Sequence, residues 1–373
     1  MTRRAKRRLG LALAGLGVAL AIAASVLVAC VVPLGDGKRR IVAGELAREI
    51  IVPTYDDVVD RAATLATAAH AFAADPTADT FAAVQAAWRA ARVPWKQTDA
   101  FRFGPLAMQT LGTAIDQIPV DPSRIETELA GTAPIDVAYV DNLGANKKGF
   151  HTIEYFVFGA DDATVLASLT TDALAPRRRD YLVACADSVA ATAVTLRDAW
   201  VDYAALLADP GADNTAYPTI KASIDALVNE SVFQVEVVAD ARIGKPMGTA
   251  TGGTPQPDLQ ESPRAGTSID DMTQTLTGIR NIYFGSRDGT PGKGIGQLVA
   301  AASPATDHEV RTAMDTAFTA LAAIPVPYAQ ALVDQRPEVK TAYEAVQDLQ
   351  HVLGTEVIAT LGATLKFNDN DGD

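Results

Sequence analysis

A histidine and a glutamate three residues apart are the residues of this sequence best suited to chemistry. They are His151 and Glu154 in the stretch GFHTIEYFVFG (149–159), and the whole chain has only four histidines. On a helix, residues three apart are surface neighbours, so an imidazole nitrogen and a carboxylate oxygen could bind one ion of iron, zinc or copper. The spacing alone favours an exposed or mutually satisfied polar pair. A metal site at His151 and Glu154 is the alternative, and it would need further carboxylates from other helices.

Familiar peptidase motifs do not occur in the chain. His308-Glu309 is followed by Val-Arg-Thr, so the two-histidine zinc motif H-E-x-x-H is not formed, and no G-x-S-x-G turn exists. The pattern therefore assigns no catalytic residue of a known type. If the chain cleaves peptides, His151 and Glu154 are its candidate catalytic pair in an unfamiliar arrangement.

The remaining three histidines and the acidic C-terminal segment are predicted to lie at the surface. His70 and His308 have no carboxylate at a matching helical spacing, and His351 lies on the helix face opposite Leu349 and Leu353. The terminal FNDNDGD (367–373) begins like a calcium-binding loop but ends before the distal glutamate that such a loop needs. We expect these three side chains and this tail to be solvated.

The first thirty residues have the pattern of an export signal. MTRRAKRRLG is basic, the following LALAGLGVALAIAASVLVAC is apolar, and its last four residues resemble a bacterial lipobox. We expect residues 1–29 to be a lipoprotein signal peptide, Cys30 to be acylated, and residues 30–40 to be a tether. An uncleaved anchor helix is the alternative. Both place the body outside the cytoplasm, and Val31 favours the periplasmic face of the outer membrane in a Gram-negative cell.

Charge and cysteine content narrow the possible partners. The formal charge is −13, and losing the five bases of the signal leaves −18. Such an acidic body argues against binding nucleic acid, which depends on neutralising phosphates, and is compatible with collecting cations.

Once Cys30 carries lipid, Cys185 is the only thiol, so no disulfide can form within the chain. Cys185 lies on an apolar helical stripe with Leu182 and Val189, which predicts a buried residue.

Apolar residues recur at spacings of three and four along most of the chain, the period of an amphipathic helix. The predicted helices cover 45–74, 77–93, 178–208, 218–243, 306–323 and 338–361. Antiparallel bundles are the usual way to bury such stripes. The sequence predicts an all-α fold of two helical bundles, 41–209 and 210–373, with glycine- and proline-rich loops at 244–266 and 285–296 in the second.

Several segments together resemble the imelysin family. GFHTIE matches its G-x-H-x-x-E motif, and the other similar segments follow in the family's order along nearly the whole chain after Cys30. They are WRAARVPWKQTDAFRFGP (88–105), AIDQIPVD (114–121), VEVVADARIGKPMG (235–248), IRNIYFG (279–285) and the terminal FNDNDGD. ESPRAGTS (261–268) follows the family's E-S-x-F-S stretch loosely.

The resemblance implies an exported all-α protein linked to iron uptake. The expected function is a lipoprotein of the cell envelope that binds iron, or a small iron-bearing ligand, and passes it to an uptake partner. The alternative is a metal-dependent peptidase, as the family was first named. Iron, zinc and copper all remain candidate ions.

Family-like segments also supply further candidate site residues. Glu236 is a possible third metal ligand, and Arg92, Asp99 and Asp116 are candidate ligand-binding residues near His151. We expect His151, as a neutral imidazole, and the Glu154 carboxylate to line a polar pocket between the bundles. The aromatic run 155–158 would form the pocket's apolar wall.

Overall fold

Helices make up all the regular secondary structure in residues 35–108 and 111–365, which are the parts of the chain that the computed structural model describes. No strand occurs among these residues. The prediction of an all-α fold is therefore confirmed. The predicted signal peptide, the acylation site Cys30 and the terminal segment 367–373 lie outside the described residues.

Eighteen α-helices are labelled in chain order across the described residues. They are α1 Asp36–Glu45, α2 Val52–Ala74, α3 Ala78–Gln97, α4 Pro105–Met108, α5 Leu111–Ile115, α6 Pro122–Ala130, α7 Val137–Asp141, α8 Phe150–Val157, α9 Asp162–Thr170, α10 Ala175–Ala208, α11 Ile220–Glu236, α12 Lys245–Met247, α13 Ser268–Phe284, α14 Ile295–Ala302, α15 Pro304–Ala322, α16 Tyr328–Val333, α17 Pro337–His351 and α18 Ile358–Leu361. Short 3₁₀ turns occupy Thr98–Phe101, Ala145–Lys147, Thr249–Thr251 and Pro257–Leu259.

Three segments of wider, π-helical geometry continue the long helices. Leu46–Ile51 joins α1 to α2, Val237–Gly244 extends α11 into α12, and Val352–Val357 joins α17 to α18. Each segment follows directly on the preceding helix, so the predicted helices 45–74, 218–243 and 338–361 are each nearly continuous. α3 runs past its predicted end and contains Pro94. Inserted π turns are frequent at functional sites.

The first half of the described chain is built around α10, a helix of 34 residues. α10 packs along α2, which also packs against α3. The Trp200 ring of α10 stacks on Tyr55 of α2, with centroids 5.8 Å apart, and meets the edge of Phe101. Cys185 is completely buried on α10, as predicted, and burial raises the pKa of its thiol.

The second half packs α15 against α17, and α17 against α11. α13 connects the halves because it packs on both α3 and α15. Gly278 permits the contact with α3, since a Cβ at this position would lie 2.2 Å from the carbonyl oxygen of Gln97. α13 thus comes close to the basic residues of α3.

The end of α10 at Ala208 and the start of α11 at Ile220 bracket the predicted boundary between the bundles. The division at 209–210 stays a prediction, and residues 36–40 of the predicted tether lie in α1. Within the described ranges, no helix combines the length and the apolar character that crossing a membrane requires.

Candidate metal centre

Arg92 of α3 is the centre of a buried network of charges. Its side chain is 3% exposed, and Nη1 lies 2.5 Å from Asp116 Oδ1. Nη2 donates to Glu261 Oε1 at 2.9 Å, and both Nη2 and Nε donate to the carboxylate of Asp271. Its guanidinium carbon also lies 5.6 Å from the ring centroids of Trp88 and Phe150. Arg92 therefore fixes three carboxylates that come from distant parts of the sequence.

Lys96, one helical turn after Arg92, extends the network. Its Nζ lies 2.8 Å from Glu261 Oε1 and 2.6 Å from Asp99 Oδ2, and its side chain is 1% exposed. Asp99 also pairs with Arg102 and accepts a hydrogen bond from Thr275 of α13. Burial disfavours the charge of Asp99, but the two neighbouring cations keep the pKa of its carboxyl below the ordinary value.

Gly149 explains how His151 reaches this network. It is the residue before α8, and its φ of +80° is a conformation that favours glycine. A Cβ there would lie 2.4 Å from the carbonyl oxygen of Ile115, the last residue of α5. The beginning of α8 therefore touches the end of α5, where Asp116 follows. As a result, Nε2 of His151 lies 3.1 Å from Asp116 Oδ1.

Glu154 faces the other ring nitrogen of His151. Its Oε2 lies 2.8 Å from Nδ1, and its Oε1 accepts hydrogen bonds from the backbone N–H groups of Arg264 and Ala265, both at 2.9 Å. A carboxylate on one imidazole nitrogen sets the ring's orientation and leaves the other nitrogen for an ion. The structure thus places Glu154 behind the imidazole, and the same carboxylate anchors the loop that carries Glu261.

Three side chains converge on one point. A ligand atom from each of Asp116, His151 and Glu261 lies within 4.8 Å of the other two. Nε2 of His151 and Oε2 of Glu261 are buried and have no well-oriented hydrogen-bond partner among the described residues. Buried polar atoms are nearly always satisfied. One imidazole with two carboxylates is a donor set for iron or zinc, and three protein ligands leave a coordination position open. The residues present therefore fit a bound metal ion.

The charges around His151 set its state in the protein without metal. Burial opposes an imidazolium, but the Asp116 carboxylate and hydrogen bonding to Asp116 and Glu154 raise the pKa of His151 to about 9. The expectation of a neutral imidazole at neutral pH is therefore wrong for the metal-free state. Burial disfavours the Asp116 carboxylate too, yet Arg92 and His151 hold the pKa of Asp116 well below its ordinary value. An ion would have to displace the proton of His151.

The other residues singled out in the sequence divide clearly. Asp116 is a member of the candidate metal group Asp116, His151 and Glu261, and Arg92 pairs with two of its carboxylates. Asp99 is connected to Glu261 through Lys96. Glu236 is exposed at the end of α11 and does not belong to this group. The three remaining histidines are exposed, as predicted. His151 and Glu154 are buried in packed polar surroundings and do not line an open pocket.

The aromatic wall also differs from the prediction. Phe156 packs on Tyr181, and Phe158 packs on Trp88. The aromatic groups next to the charges are Trp88, Phe150 and Trp95, whose Nε1 donates to Asp116 Oδ2 at 2.6 Å. Residues 155–157 of α8 point in different directions because successive residues are spread around a helix, and Phe158 follows the end of α8 in an extended conformation.

Sequence reasoning missed five residues of the site, and all five lie far from the His-Glu motif in the chain. Glu261 and Ser262 come from a loop, Asp271 from α13, Arg242 from a π-helical segment, and Lys96 from α3. Family-like segments contained four of them: Lys96 lies in 88–105, Arg242 in 235–248, and Glu261-Ser262 opens ESPRAGTS. Ser262 donates to Asp271 at 2.5 Å, so the same short stretch supplies both a candidate ligand and a support for the network.

Comparison with known proteins bears on this site and this fold. The family model described as Imelysin matches residues 51–355, a range that contains every residue of the network. The chain is 30% identical over 312 residues to Iron-regulated protein A of Synechococcus elongatus. The aligned region covers 80% of this chain and 81% of that relative.

Two solved structures are similar to the fold. One, from Parabacteroides distasonis, is described as an iron-regulated protein A precursor. It has a TM-score of 0.78 at 24% identity and covers 88% of this chain and 96% of its own. The other is an imelysin-like protein from Psychrobacter arcticus, with a TM-score of 0.73 at 15% identity, covering 89% and 98%. At these identities they support the all-α fold alone. The extent of the family match and the 30% identical relative carry the assignment: this chain belongs to the imelysin family.

Proposed function

We propose that this protein binds a metal ion, with iron as its natural cargo, at Asp116, His151 and Glu261. The observation that carries the proposal is the convergence of one ligand atom each from Asp116, His151 and Glu261 within 4.8 Å, where Nε2 of His151 and Oε2 of Glu261 make ion-pair contacts but no well-oriented hydrogen bond. A bound cation would satisfy both of them. The name of the relative from Synechococcus elongatus, Iron-regulated protein A, favours iron over zinc or copper.

In this proposal the motif residues have different roles. His151 binds the ion through Nε2, and Glu154 orients the imidazole from Nδ1. Arg92 holds Asp116, Glu261 and Asp271 at the site, although it does not itself face the ion as a ligand. Glu236 has no part in the centre. The ligand-binding role predicted for Arg92 and Asp99 thus becomes one of positioning carboxylates.

Binding is favoured over peptide cleavage by the surroundings of the carboxylates. A hydrolytic enzyme needs a general base with a lone pair free to activate water. Glu154 accepts from two backbone N–H groups and contacts Nδ1 of His151, while Glu261 Oε1 accepts from Arg92 and Lys96. The side chains of Asp116, His151 and Glu261 are also only 2–3% exposed. A peptide substrate would need a cleft at these atoms, whereas a single ion needs far less room.

The proposal includes attachment at the cell envelope through an acylated Cys30. The basic and apolar N-terminal sequence and its lipobox-like end support this part. A tethered, acidic protein on the outer side of the membrane could collect cations and pass them to an uptake partner.

Equilibrium dialysis of the purified full-length chain against iron and zinc tests the function. We expect one ion per chain, and we expect His151→Gln, Asp116→Asn and Glu261→Gln each to weaken binding by roughly tenfold to a hundredfold or more, the range known for disturbed metal sites. Glu236→Gln is the matched control and should bind normally. Digestion of a peptide library by the same preparation tests the alternative. Metal-dependent cleavage that is lost in His151→Gln would favour the peptidase, and unchanged binding in all three variants would refute the site.

A further inference from the structure

The proposed metal site is closed to solvent in this structure, so an ion can enter only when some element moves. The side chains of Asp116, His151 and Glu261 are 2–3% exposed. α8, which carries His151, buries Phe150 completely, and Ile115, next to Asp116, is 1% exposed. Moving either of these helices would bring buried apolar surface into water, which is unfavourable. The ligand that can move without this cost is Glu261.

Glu261 lies on a segment without regular secondary structure, residues 260–266, which we call the strap. It leads from the last 3₁₀ turn to α13. Its buried side chains are all polar, and they are Gln260, Glu261 and Ser262. The strap ends at Gly266, which has a φ of +68° and free space around it, so it can act as a pivot. A segment with few buried apolar contacts opens locally at a small cost in free energy.

Withdrawing Glu261 would leave the neighbouring cations paired. Glu261 contacts Arg92, Lys96 and Arg242. Without it, Arg92 keeps two other carboxylates, and Lys96 keeps that of Asp99. The side chain of Arg242 is 19% exposed, so water can reach it. Breaking a buried ion pair is strongly destabilising where it leaves a charge alone, and here no fully buried cation loses its last acidic partner.

Two contacts that take no part in binding the ion hold the strap shut. The backbone N–H groups of Arg264 and Ala265 donate to Glu154 Oε1, both at 2.9 Å. The guanidinium carbon of Arg264 lies 4.6 Å from the ring centroid of Tyr155, whose hydroxyl donates to a carboxylate of α6 at 2.7 Å. Both partners of the strap lie on α8. The helix that carries the His-Glu motif therefore also latches the loop that carries the third ligand.

We propose, building on the proposed metal function, that the strap is the gate of the metal site. When it is closed, Glu261 completes the donor set. When it opens, Arg264 leaves Tyr155, Glu261 leaves with the strap, and the ion exchanges with solvent. The contact of Arg264 lies outside the coordination of the ion, so weakening it favours opening equally with and without the ion. The latch thus governs the rates of entry and release and leaves the affinity nearly unchanged.

Stopped-flow measurement of zinc uptake and release by the full-length chain tests the gate. Arg264→Gln and Tyr155→Leu each remove the cation–π contact, so both rates should become about two- to fivefold faster. The dissociation constant should stay within about twofold, because both rates change together. Tyr155→Phe keeps the aromatic face and should exchange zinc at the normal rates. Arg89→Gln is the matched control, since Arg89 lies 4.5 Å from the ring centroid of Phe158 and away from the strap.

Amide hydrogen exchange of the metal-free protein gives a second measurement that needs no ion. The N–H groups of Arg264 and Ala265 should exchange by local opening, faster than the buried amides of α10. Tyr155→Leu should speed their exchange by the same factor of about two to five and leave α10 unchanged.

Three results would overturn the gate and leave the metal site standing. They are zinc rates that do not change in Arg264→Gln and Tyr155→Leu, an affinity that falls in both variants without faster uptake, and strap amides that exchange only when the whole protein unfolds. An unchanged protein that binds no zinc would instead overturn both the metal site and its gate.

Discussion

Replacing Gly149 by alanine tests whether this glycine positions the site. The substitution puts a side chain at φ +80°, and its Cβ would lie 2.4 Å from the carbonyl oxygen of Ile115. The left-handed conformation costs about 1–2 kcal/mol, and overpacking a rigid backbone contact adds about 1–3 kcal/mol. The sum of about 2–5 kcal/mol should lower the Tm by roughly 5–15 °C, since each kcal/mol corresponds to about 2–4 °C in a chain somewhat smaller than this one.

The same change should also weaken metal binding. Relief of the clash moves α8 away from α5, and this motion separates Nε2 of His151 from Asp116, which are 3.1 Å apart. Gly252→Ala is the control, because Gly252 also has a positive φ, +67°, but a Cβ there would meet nothing within 4 Å. Differential scanning calorimetry and a zinc titration of both variants separate the clash from the conformational cost. Equal Tm values and equal affinities in Gly149→Ala and Gly252→Ala would refute the positioning role.

Three further predictions concern titration and anchoring. Burial raises the pKa of Glu230 from 4.5 to about 7, so its ionisation destabilises the fold as the pH rises through this window. Glu230→Gln should therefore raise the free energy of unfolding in urea by on the order of 2–3 kcal/mol at pH 8 and by almost nothing at pH 4. An equal increase at both pH values would contradict this cause. Because an ion must displace a proton from His151, whose pKa is about 9, zinc affinity should rise about tenfold per pH unit between pH 6.5 and 8.5, and a flat profile would exclude His151 as ligand. Cys30→Ser should abolish labelling by a radioactive fatty acid in cells, and retained label would refute acylation at Cys30.

Local sequence pattern was enough to predict most of the long helices. Apolar residues spaced three and four positions apart reflect only which face of a helix is buried. The helices ending at Ala74 and Leu361 lie where that pattern predicts them. α13 was missed because its sequence, SIDDMTQTLTGIRNIYF, has polar residues on the face that meets α3. Those polar residues are buried by pairing with charges on α3, which a hydrophobic pattern cannot reveal.

The candidate site was predictable only in part, for a similar reason. The neighbourhood of His151 and Glu154 follows from their spacing on one helix, but spacing does not show which nitrogen of the ring each carboxylate faces. Glu154 meets Nδ1, while Nε2 faces Asp116, a residue 35 positions earlier in the chain. Glu261 joins through a loop that packs across the molecule. Such contacts depend on tertiary packing and leave no periodic trace in a single sequence.

Anomalous X-ray diffraction from crystals of the zinc-loaded protein tests the central claim most directly. The structure predicts one strong peak per chain, about 2.0–2.2 Å from Nε2 of His151 and from carboxylate oxygens of Asp116 and Glu261, the usual distances for these ligands. Glu154 should still contact Nδ1 and the N–H groups of Arg264 and Ala265. A peak between Nδ1 of His151 and Glu154, or a peak only at surface carboxylates, would contradict the assignment of the metal centre.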